Sequence, residues 1–286
     1  MLGSADASTK AAADVIRSRT DRVPMVAMIL GSGLGGLADQ IEHPTCIPFS
    51  EIPGFGTSTA SGHRGQLIIG ELEATTIVAM AGRFHRYEGW SNDQVAFPVR
   101  VMASLGAGTL IVSNAAGGVS PKLAVGDLVV IRDHINWMGG HGSRAGESGA
   151  SESPSLEQGH FEFGPQRSEN VYDDELAESS RRVGMEKGFN VHWGTYLATL
   201  GPNYESRSEY RMMRRMGADV VGMSTIPEVL AANLVNMRVL GLSMVSNVAN
   251  PDQPVKADHA EVLEAGRSAA VKLEQIVRAV IRGLPT

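Results

Sequence analysis

Cysteine and long apolar runs are both scarce in this chain of 286 residues, whose single cysteine is Cys46. One cysteine cannot form an intrachain disulfide, which fits a reducing cytoplasm. No stretch approaches the roughly 18 apolar residues of a membrane span. The N-terminal segment mixes alanine with Asp6, Asp14 and Arg17 and so lacks the apolar core of a signal peptide. The sequence therefore predicts a cytoplasmic protein with no membrane partner.

An excess of basic residues is also missing: 25 Lys and Arg stand against 31 Asp and Glu, for a net charge of −6. Proteins that bind long nucleic acids need a basic face to displace counterions, so such a partner is not expected. A small anion in a local pocket remains compatible with this balance. No cluster of His, Cys, Asp or Glu has the spacing of metal ligands, so no metal is expected.

Strand-like and helix-like segments alternate along the chain, which predicts an α/β layer fold around a central sheet. No repeat or break in composition divides the chain, and we expect one domain over residues 1–286. The segment from Gly139 to Gly159 is rich in Gly, Ser and Glu. We expect a flexible loop over 139–165 at an active site or interface, since long loops in compact domains are usually functional or disordered. The predicted strands are 23–30, 66–72, 75–81, 109–113, 127–131, 193–200, 219–223 and 239–246, and the predicted helices are 8–20, 93–105, 171–187, 208–216 and 260–282.

The first glycine motif, GSGLGG at 31–36, follows a predicted strand. Glycines allow a sharp turn that directs backbone N–H groups towards an anion. Three interpretations stay open at this point: a dinucleotide site, a simple phosphate site and a bare tight turn. A dinucleotide site needs an acidic residue about twenty positions on. Glu51 has that spacing, but Pro48 and Pro53 flank it and are unfavourable in a central strand.

The second motif, GRFHRYEG at 82–89, follows the strand that ends at Ala81. Ligands of open α/β sheets bind at the carboxyl ends of strands. The guanidinium of Arg83 suits phosphate oxygens, and His85 adds a second donor. A solvated turn is the simpler alternative. His63, in the glycine-rich SGHRG at 61–65, is by itself more typical of a structural residue.

The third motif, GMSTIPE at 222–228, predicts a strand end followed by a helix start. Thr225 and Glu228 have the spacing of a capping box, with Pro227 in the first turn. Ser224 is then expected beside a helix N-terminus, where backbone donors and the dipole favour an anion. An ordinary helix cap is the alternative.

Two further segments carry polar side chains near predicted helix starts. Ser206 and Glu209 have capping-box spacing, so Glu205 is expected just before a helix. Asn247 ends an apolar strand, and Asp258 is a candidate N-cap that places His259 in the first helical turn. Each residue also has a plain structural interpretation, as a loop acid, an Asx turn or a surface histidine.

Together these motifs resemble the purine nucleoside phosphorylases of the trimeric type. The similarity runs from about Val26 to Leu273 and includes the three motifs above. It also covers SNAAGG at 113–118, GDLVVIRDHIN at 126–136, GTYLATLGPNYE at 194–205 and GADVVGMSTIPEV at 217–229. The resemblance implies a single α/β domain with a central mixed, partly barrel-like sheet flanked by helices.

The resemblance also implies an activity and a site. The activity is phosphorolysis of inosine, guanosine and their 2′-deoxy forms in purine salvage, with inorganic phosphate as co-substrate and no cofactor. Catalytic roles fall to His85, Glu205 and Asn247. The implied phosphate-binding residues are Ser32, His63, Arg83, His85, Ala115 and Ser224. The implied nucleoside-binding residues are Tyr87, Ala115, Ala116, Phe161, Tyr204, Glu205, Gly222, Met223, Asn247 and His259.

The family further implies a homotrimer in which each site borrows a phenylalanine from its neighbour. Phe161 and Phe163 both fit that role, because the loop from Gly139 to Gln166 departs from the family pattern. Tyr204 stands where the family commonly has phenylalanine. A methylthioadenosine phosphorylase is a related alternative, but it generally has a carboxylate at the position of Asn247 and an apolar residue at that of His259. A dehydrogenase and a non-catalytic nucleoside-binding protein are the more distant alternatives.

Overall fold

The computed structural model describes residues 7–31, 34–56, 64–139, 170–249 and 259–285, with only the main chain described for 259–265. Within these ranges the strands are β1 (Val26–Ile29), β2 (Glu42–Pro48), β3 (Gln66–Leu72), β4 (Thr75–Ala81), β5 (Thr109–Gly118), β6 (Leu128–Asn136), β7 (Val191–Ala198), β8 (Val220–Gly222) and β9 (Arg238–Val248). The helices are α1 (Ala7–Arg17), α2 (Asn92–Ser104), α3 (Asp174–Lys187), α4 (Arg207–Arg215), α5 (Ile226–Leu234) and α6 (His259–Arg282). None of the helices in these ranges is long and apolar enough to cross a membrane.

The strands form one mixed sheet in the order β2-β3-β4-β1-β5-β8-β7-β6-β9, and β9 also pairs with β5. This second pairing closes β5, β8, β7, β6 and β9 into a ring, while β2, β3, β4 and β1 extend from it as an open sheet. The pairs β1–β4, β1–β5, β5–β9, β6–β7 and β7–β8 are parallel, and the others are antiparallel. The expected mixed, partly barrel-like α/β fold is confirmed.

Side chains of β1 alternate between the two faces of the sheet, as the two-residue period of a strand requires. Ala27 and Ile29 enter one hydrophobic cluster, which also contains apolar residues of α1, α2 and α5. Val26 and Met28 enter a second cluster, which contains those of α3 and α6. Because helices cover both faces, β1 is buried at every position, and its sequence is a continuous apolar run.

Helix starts are fixed by local capping, which explains where the observed bounds differ from the predicted ones. The prediction placed the start of α3 at Val171, but Asp173 caps it by accepting the Leu176 N–H at 2.9 Å, so the helix begins at Asp174. The predicted box at α4 is confirmed: Ser206 Oγ accepts the Glu209 N–H at 3.3 Å, and the Glu209 carboxylate accepts the Ser206 N–H at 2.6 Å.

Strand β2 was not predicted, and it contains Pro44 and Pro48. Among the described strands it lies at the edge of the sheet beside β3, and an edge tolerates residues that cannot donate to the ladder. Strand β5 is longer than expected and runs to Gly118, so Ala115 and Ala116 lie in a strand and not in a loop.

The loop expected over 139–165 lies outside the described residues apart from Gly139. The extent of the domain, residues 1–286, stays a prediction.

Candidate active site

A cavity of about 440 Å³ opens where several strands of the sheet end. Its walls come from the ends of β5, β8 and β9, from the segments that follow β1 and β4, and from the segment around the start of α4. The lining residues are Gly31, Arg83, His85, Tyr87, Asn114, Ala115, Ala116, Gly117, Tyr204, Glu205, Tyr210, Val221, Gly222, Met223, Ser224, Ser246 and Asn247. We call the part around Arg83, Asn114, Ser224, Thr225 and Glu228 the arginine end, and the part around Tyr204, Glu205, Tyr210 and Asn247 the glutamate end.

Arg83 is buried, with 2% of its surface exposed, and its guanidinium is held by three protein oxygens. Nε donates to Glu228 at 3.0 Å, and Nη1 donates to the Ser113 carbonyl at 2.8 Å and to Ser224 Oγ at 3.1 Å. The Glu228 carboxylate is equally buried. A buried guanidinium with a fixed orientation is a suitable electrostatic anchor for an anion entering the cavity.

The turn between β8 and α5 brings Ser224 to the cavity. Ile226 N–H donates to the Ser224 carbonyl at 2.9 Å, and Thr225 between them has φ +78° and ψ −46°. This is a γ-turn of the positive-φ kind, which is rare and strained for a β-branched residue. Asn114 Nδ2 donates to Thr225 Oγ1 at 2.9 Å and holds the strained residue in place.

The capping box predicted at Thr225 and Glu228 is wrong. The Thr225 side chain makes no cap hydrogen bond to the helix, because it bonds to Asn114, and Glu228 pairs with Arg83. The helix start itself is confirmed, with proline in the first turn of α5. Ser224 therefore does lie beside a helix N-terminus, as expected.

The first glycine motif has a steric reason at its start. A Cβ on Gly31 would lie 2.3 Å from the Ser113 carbonyl oxygen, so only glycine fits. The chain then enters a short 3-10 helix at Gly35–Gln40 and the antiparallel edge strand β2. A dinucleotide site requires a parallel βαβ unit, and Glu51 instead forms an ion pair at the surface with Arg19. The dinucleotide interpretation is therefore wrong.

His85 and Tyr87 line the cavity beside Arg83. Their rings stack with centroids 4.7 Å apart, and the Glu88 carboxylate lies 3.3 Å from His85 Nδ1 while it accepts the His85 N–H at 2.7 Å. Glu88 thereby fixes the imidazole in orientation, with Nδ1 directed at a carboxylate. Burial, followed by the nearby Glu88 charge, raises the pKa of Tyr87 above its usual value, while Arg83 opposes that shift.

The glutamate end is more open. Tyr204 is 81% exposed, and Glu205 is partly buried. The Thr199 hydroxyl donates to Glu205 Oε1 at 3.1 Å. Tyr210 lines the same wall, and its pKa is raised above its usual value mainly by burial, followed by the charge of Glu205 and a hydrogen bond to it. Glu205 therefore presents to the cavity a carboxylate that is bonded by two neighbouring hydroxyl groups.

Asn247 lies near the end of β9, where its amide packs over Gly117. A Cβ built on Gly117 would lie 3.5 Å from Asn247 Nδ2, at ordinary van der Waals distance. The Ser246 hydroxyl donates to Asn247 Oδ1 at 3.0 Å. This bond uses one of the two acceptor positions of Oδ1, and the Nδ2 group offers the two N–H donors of the amide.

The fold brings together the predicted Arg83, His85, Tyr87, Ala115, Ala116, Tyr204, Glu205, Gly222, Met223, Ser224 and Asn247, all of which line the cavity. Ser32, His63, Phe161 and Phe163 lie outside the described residues. His259 is the first residue of α6, as expected, and its side chain is not described. The roles assigned to these residues stay predictions.

Among the polar residues of this site that sequence reasoning missed are Asn114, Thr199, Tyr210 and Glu228. Asn114 and Tyr210 line the cavity, and Thr199 and Glu228 bond to residues that do. Glu228 was noted only as a helix cap. Tyr210 could have been found, because the capping box places it four residues into α4, a position that faces the residue before the cap. Nothing local distinguishes Asn114 or Thr199.

Within the described ranges, no group of three or more His, Cys, Asp and Glu side chains could hold a metal ion.

Fold and cavity together define an α/β enzyme with a cavity that joins an anion anchor to donors and acceptors for a polar heterocycle. The sequence pattern of the Phosphorylase superfamily matches residues 25–282. "Purine nucleoside phosphorylase 1" of Geobacillus stearothermophilus is 44% identical over 278 residues, which cover 96% of each chain. The chain belongs to this superfamily and, within it, to the purine nucleoside phosphorylases.

Solved structures agree with this family. The crystal structure of Schistosoma mansoni purine nucleoside phosphorylase in complex with inosine has a TM-score of 0.83 at 38% identity, covering 98% of this chain and 97% of that one. The complex of the same protein with adenosine has a TM-score of 0.80 at 38% identity and covers 97% of both chains.

Proposed function

We propose that this phosphorylase cleaves the 6-oxopurine nucleosides inosine and guanosine and their 2′-deoxy forms. Inorganic phosphate is the co-substrate, and the products are the free base and (deoxy)ribose 1-phosphate, as in purine salvage. One observation supports this above all: a single cavity has a buried guanidinium at one end and a carboxylate with an amide at the other.

The reaction requires phosphate and nucleoside side by side. A phosphate oxygen attacks C1′ of the ribose while the bond from C1′ to N9 breaks, and the electron pair of that bond leaves with the purine. Arg83 and Ser224 hold the phosphate in line, which lowers the barrier by positioning. Asn247 donates to N7 and O6 and stabilises the negative charge that develops on the departing base.

Base selection rests on Glu205 and Asn247. A 6-oxopurine has a proton on N1 that it donates to the Glu205 carboxylate, whereas adenine has a lone pair there that opposes it. An unmatched buried acceptor costs about 1–3 kcal/mol. Asn247 donates to O6, and the Ser246 hydroxyl on Oδ1 opposes rotation of the amide to accept from a 6-amino group.

The remaining roles follow the resemblance to the trimeric type. Phosphate also meets Ser32, His63, His85 and Ala115, while ribose meets Tyr87, Met223 and His259. The base also meets Ala115, Ala116, Tyr204 and Gly222. Phe161 of a neighbouring subunit completes the site in a cytoplasmic homotrimer, and the reaction needs no metal or organic cofactor.

The first experiment compares inosine with and without inorganic phosphate. Hypoxanthine should appear only with phosphate, together with an equal amount of ribose 1-phosphate. Free ribose formed without phosphate would indicate a hydrolase and contradict the proposal.

A second experiment tests the substrate class by comparing kcat/KM for inosine, adenosine and 5′-methylthioadenosine. Sites built around a specific hydrogen bond discriminate by roughly four orders of magnitude. Turnover is the quantity to measure, since the Schistosoma mansoni protein has been crystallised with adenosine as well as with inosine. Equal kcat/KM for adenosine and inosine would move the enzyme to the aminopurine phosphorylases, and preference for 5′-methylthioadenosine to their methylthio relatives.

A further inference from the structure

Glu205 and Tyr210 are brought together by the start of α4. Ser206 is the N-cap, so Glu205 is the residue before the cap and Tyr210 is the fourth residue of the helix. These two positions face one another at a capped helix start and usually hold a hydrophobic pair. Here they hold a carboxylate and a phenol. The reciprocal Ser206–Glu209 box and the Tyr210 N–H bond to the Ser206 carbonyl at 3.0 Å fix this geometry.

The Tyr210 ring is anchored from behind. It packs against a small hydrophobic cluster that includes Leu197, Met213 and Val221, while the residue also lines the cavity beside Glu205. An anchored ring holds its hydroxyl at a fixed position. On the strand side, the Thr199 hydroxyl reaches Glu205 Oε1 from the residue just after β7. The carboxylate is therefore contacted from the helix and from the sheet.

We infer that Tyr210 is a positioning residue that, together with Thr199, holds the Glu205 carboxylate in the orientation that accepts N1–H of a 6-oxopurine. The inference rests on the proposed role of Glu205. An ionised carboxylate has about four acceptor positions. Two hydroxyl donors use two of these positions and leave the others for the base, where guanine supplies N1–H and its 2-amino group. The burial of Tyr210 and its contact with Glu205 also raise the pKa of the phenol, so it remains a donor.

The test is a double-mutant cycle on hypoxanthine binding, measured by calorimetry with the intact protein. Tyr210→Phe keeps the ring and its packing and removes only the hydroxyl. It should weaken hypoxanthine about 10-fold, the effect of one hydrogen bond to a charged group. In a Glu205→Ala background the same change should weaken hypoxanthine by less than about 2-fold, because an interaction that acts through Glu205 disappears with it.

Two further variants control the cycle. Tyr172→Phe removes a different tyrosine hydroxyl, which lies 3.1 Å from His134 Nδ1 and away from the cavity lining, and it should leave hypoxanthine affinity unchanged. Thr199→Val removes the other hydroxyl with little change of shape, and it should weaken hypoxanthine several-fold in the native background only. It keeps the inference testable if Tyr210→Phe fails to fold.

The outcomes separate the two claims. If Glu205→Ala leaves hypoxanthine binding unchanged, the proposed role of Glu205 fails and the inference fails with it. If Glu205→Ala weakens binding but Tyr210→Phe costs the same in both backgrounds, the tyrosine acts by packing and the inference alone is overturned. A loss confined to the native background supports it.

Discussion

The arginine end of the cavity is buried and densely bonded, whereas the glutamate end is partly open to solvent. Arg83 and Glu228 are both 2% exposed, while Tyr204 is 81% exposed. The guanidinium bonds to the Glu228 carboxylate, the Ser113 carbonyl and the Ser224 hydroxyl. The Glu205 carboxylate is contacted by hydroxyl groups of neighbouring elements. An anion site can be built in advance of its ligand, because phosphate is small and always the same. A base site must admit a larger, planar ligand.

This difference predicts that the two ends respond to mutation in different ways. Groups at the arginine end stabilise the fold as well as the ligand, so their loss should lower both stability and phosphate affinity. Groups at the glutamate end should affect turnover and specificity with little effect on folding. Denaturant unfolding compared with kinetic constants for variants at each end tests this contrast.

The largest effect is expected for Arg83→Ala. It leaves the buried Glu228 carboxylate without its guanidinium, and breaking a buried ion pair costs about 3–5 kcal/mol of unfolding free energy. The KM for phosphate should rise more than the KM for inosine. Denaturant unfolding and initial rates measure the two effects. Arg19→Ala is the matched control, since its pair with Glu51 is exposed and exposed pairs contribute about 1 kcal/mol or less. A phosphate KM equal to that of the unmodified enzyme would remove Arg83 from the phosphate site.

Glu205→Gln should separate activity from stability at the other end. The amide no longer offers a full negative charge to N1–H, and kcat/KM for inosine should fall by about 100-fold or more. Unfolding free energy should change by less than about 1 kcal/mol, since the side chain is only partly buried. Glu186→Gln, on an exposed position of α3, controls for loss of one negative charge. A large loss of stability in Glu205→Gln would contradict the contrast between the two ends.

Asn247→Asp should change specificity more than it changes overall rate. A carboxylate accepts from the 6-amino group of adenine and repels O6 of hypoxanthine, so the adenosine to inosine ratio of kcat/KM should rise by about 10-fold to 100-fold. Ser246→Ala releases Oδ1 and allows the amide to rotate, and it should raise the same ratio by a smaller factor. An unchanged ratio in both variants would show that Asn247 does not read position 6.

The sequence predicted the parts of this site that depend on local patterns. Strands β3 and β4 have the predicted bounds, and the motif after β4 delivers Arg83 to the cavity. The fold class also followed, through alternating segments and the resemblance together. Glu205 was expected before a helix because its capping box is encoded within four residues.

Interactions between distant segments were the ones that sequence reasoning missed. Thr225 and Glu228 have the spacing of a capping box, yet Arg83, 145 residues away from Glu228, takes the carboxylate. Asn114, 111 residues from Thr225, takes the hydroxyl. A buried charge needs its partner more than a helix end needs a side-chain cap, because an unpaired buried ion costs far more free energy than an unpaired backbone N–H group. The closing of the ring by β9 is likewise a long-range pairing with no local signal.

The smallest effects come from two tyrosine hydroxyls, one at each end of the cavity. The Tyr196 side chain is fully buried and accepts the Ser224 N–H at 3.3 Å. In Tyr196→Phe that buried donor loses its acceptor, which should cost about 1–3 kcal/mol of unfolding free energy and raise the phosphate KM, because Ser224 also bonds to Arg83.

Tyr204→Phe removes a hydroxyl that water already solvates. It should change unfolding free energy by no more than about 0.5 kcal/mol and leave the phosphate KM unchanged, because the ring proposed to contact the base remains. Equal costs for the two variants in denaturant unfolding would mean that the arginine end is no more preassembled than the glutamate end, and the comparison would fail.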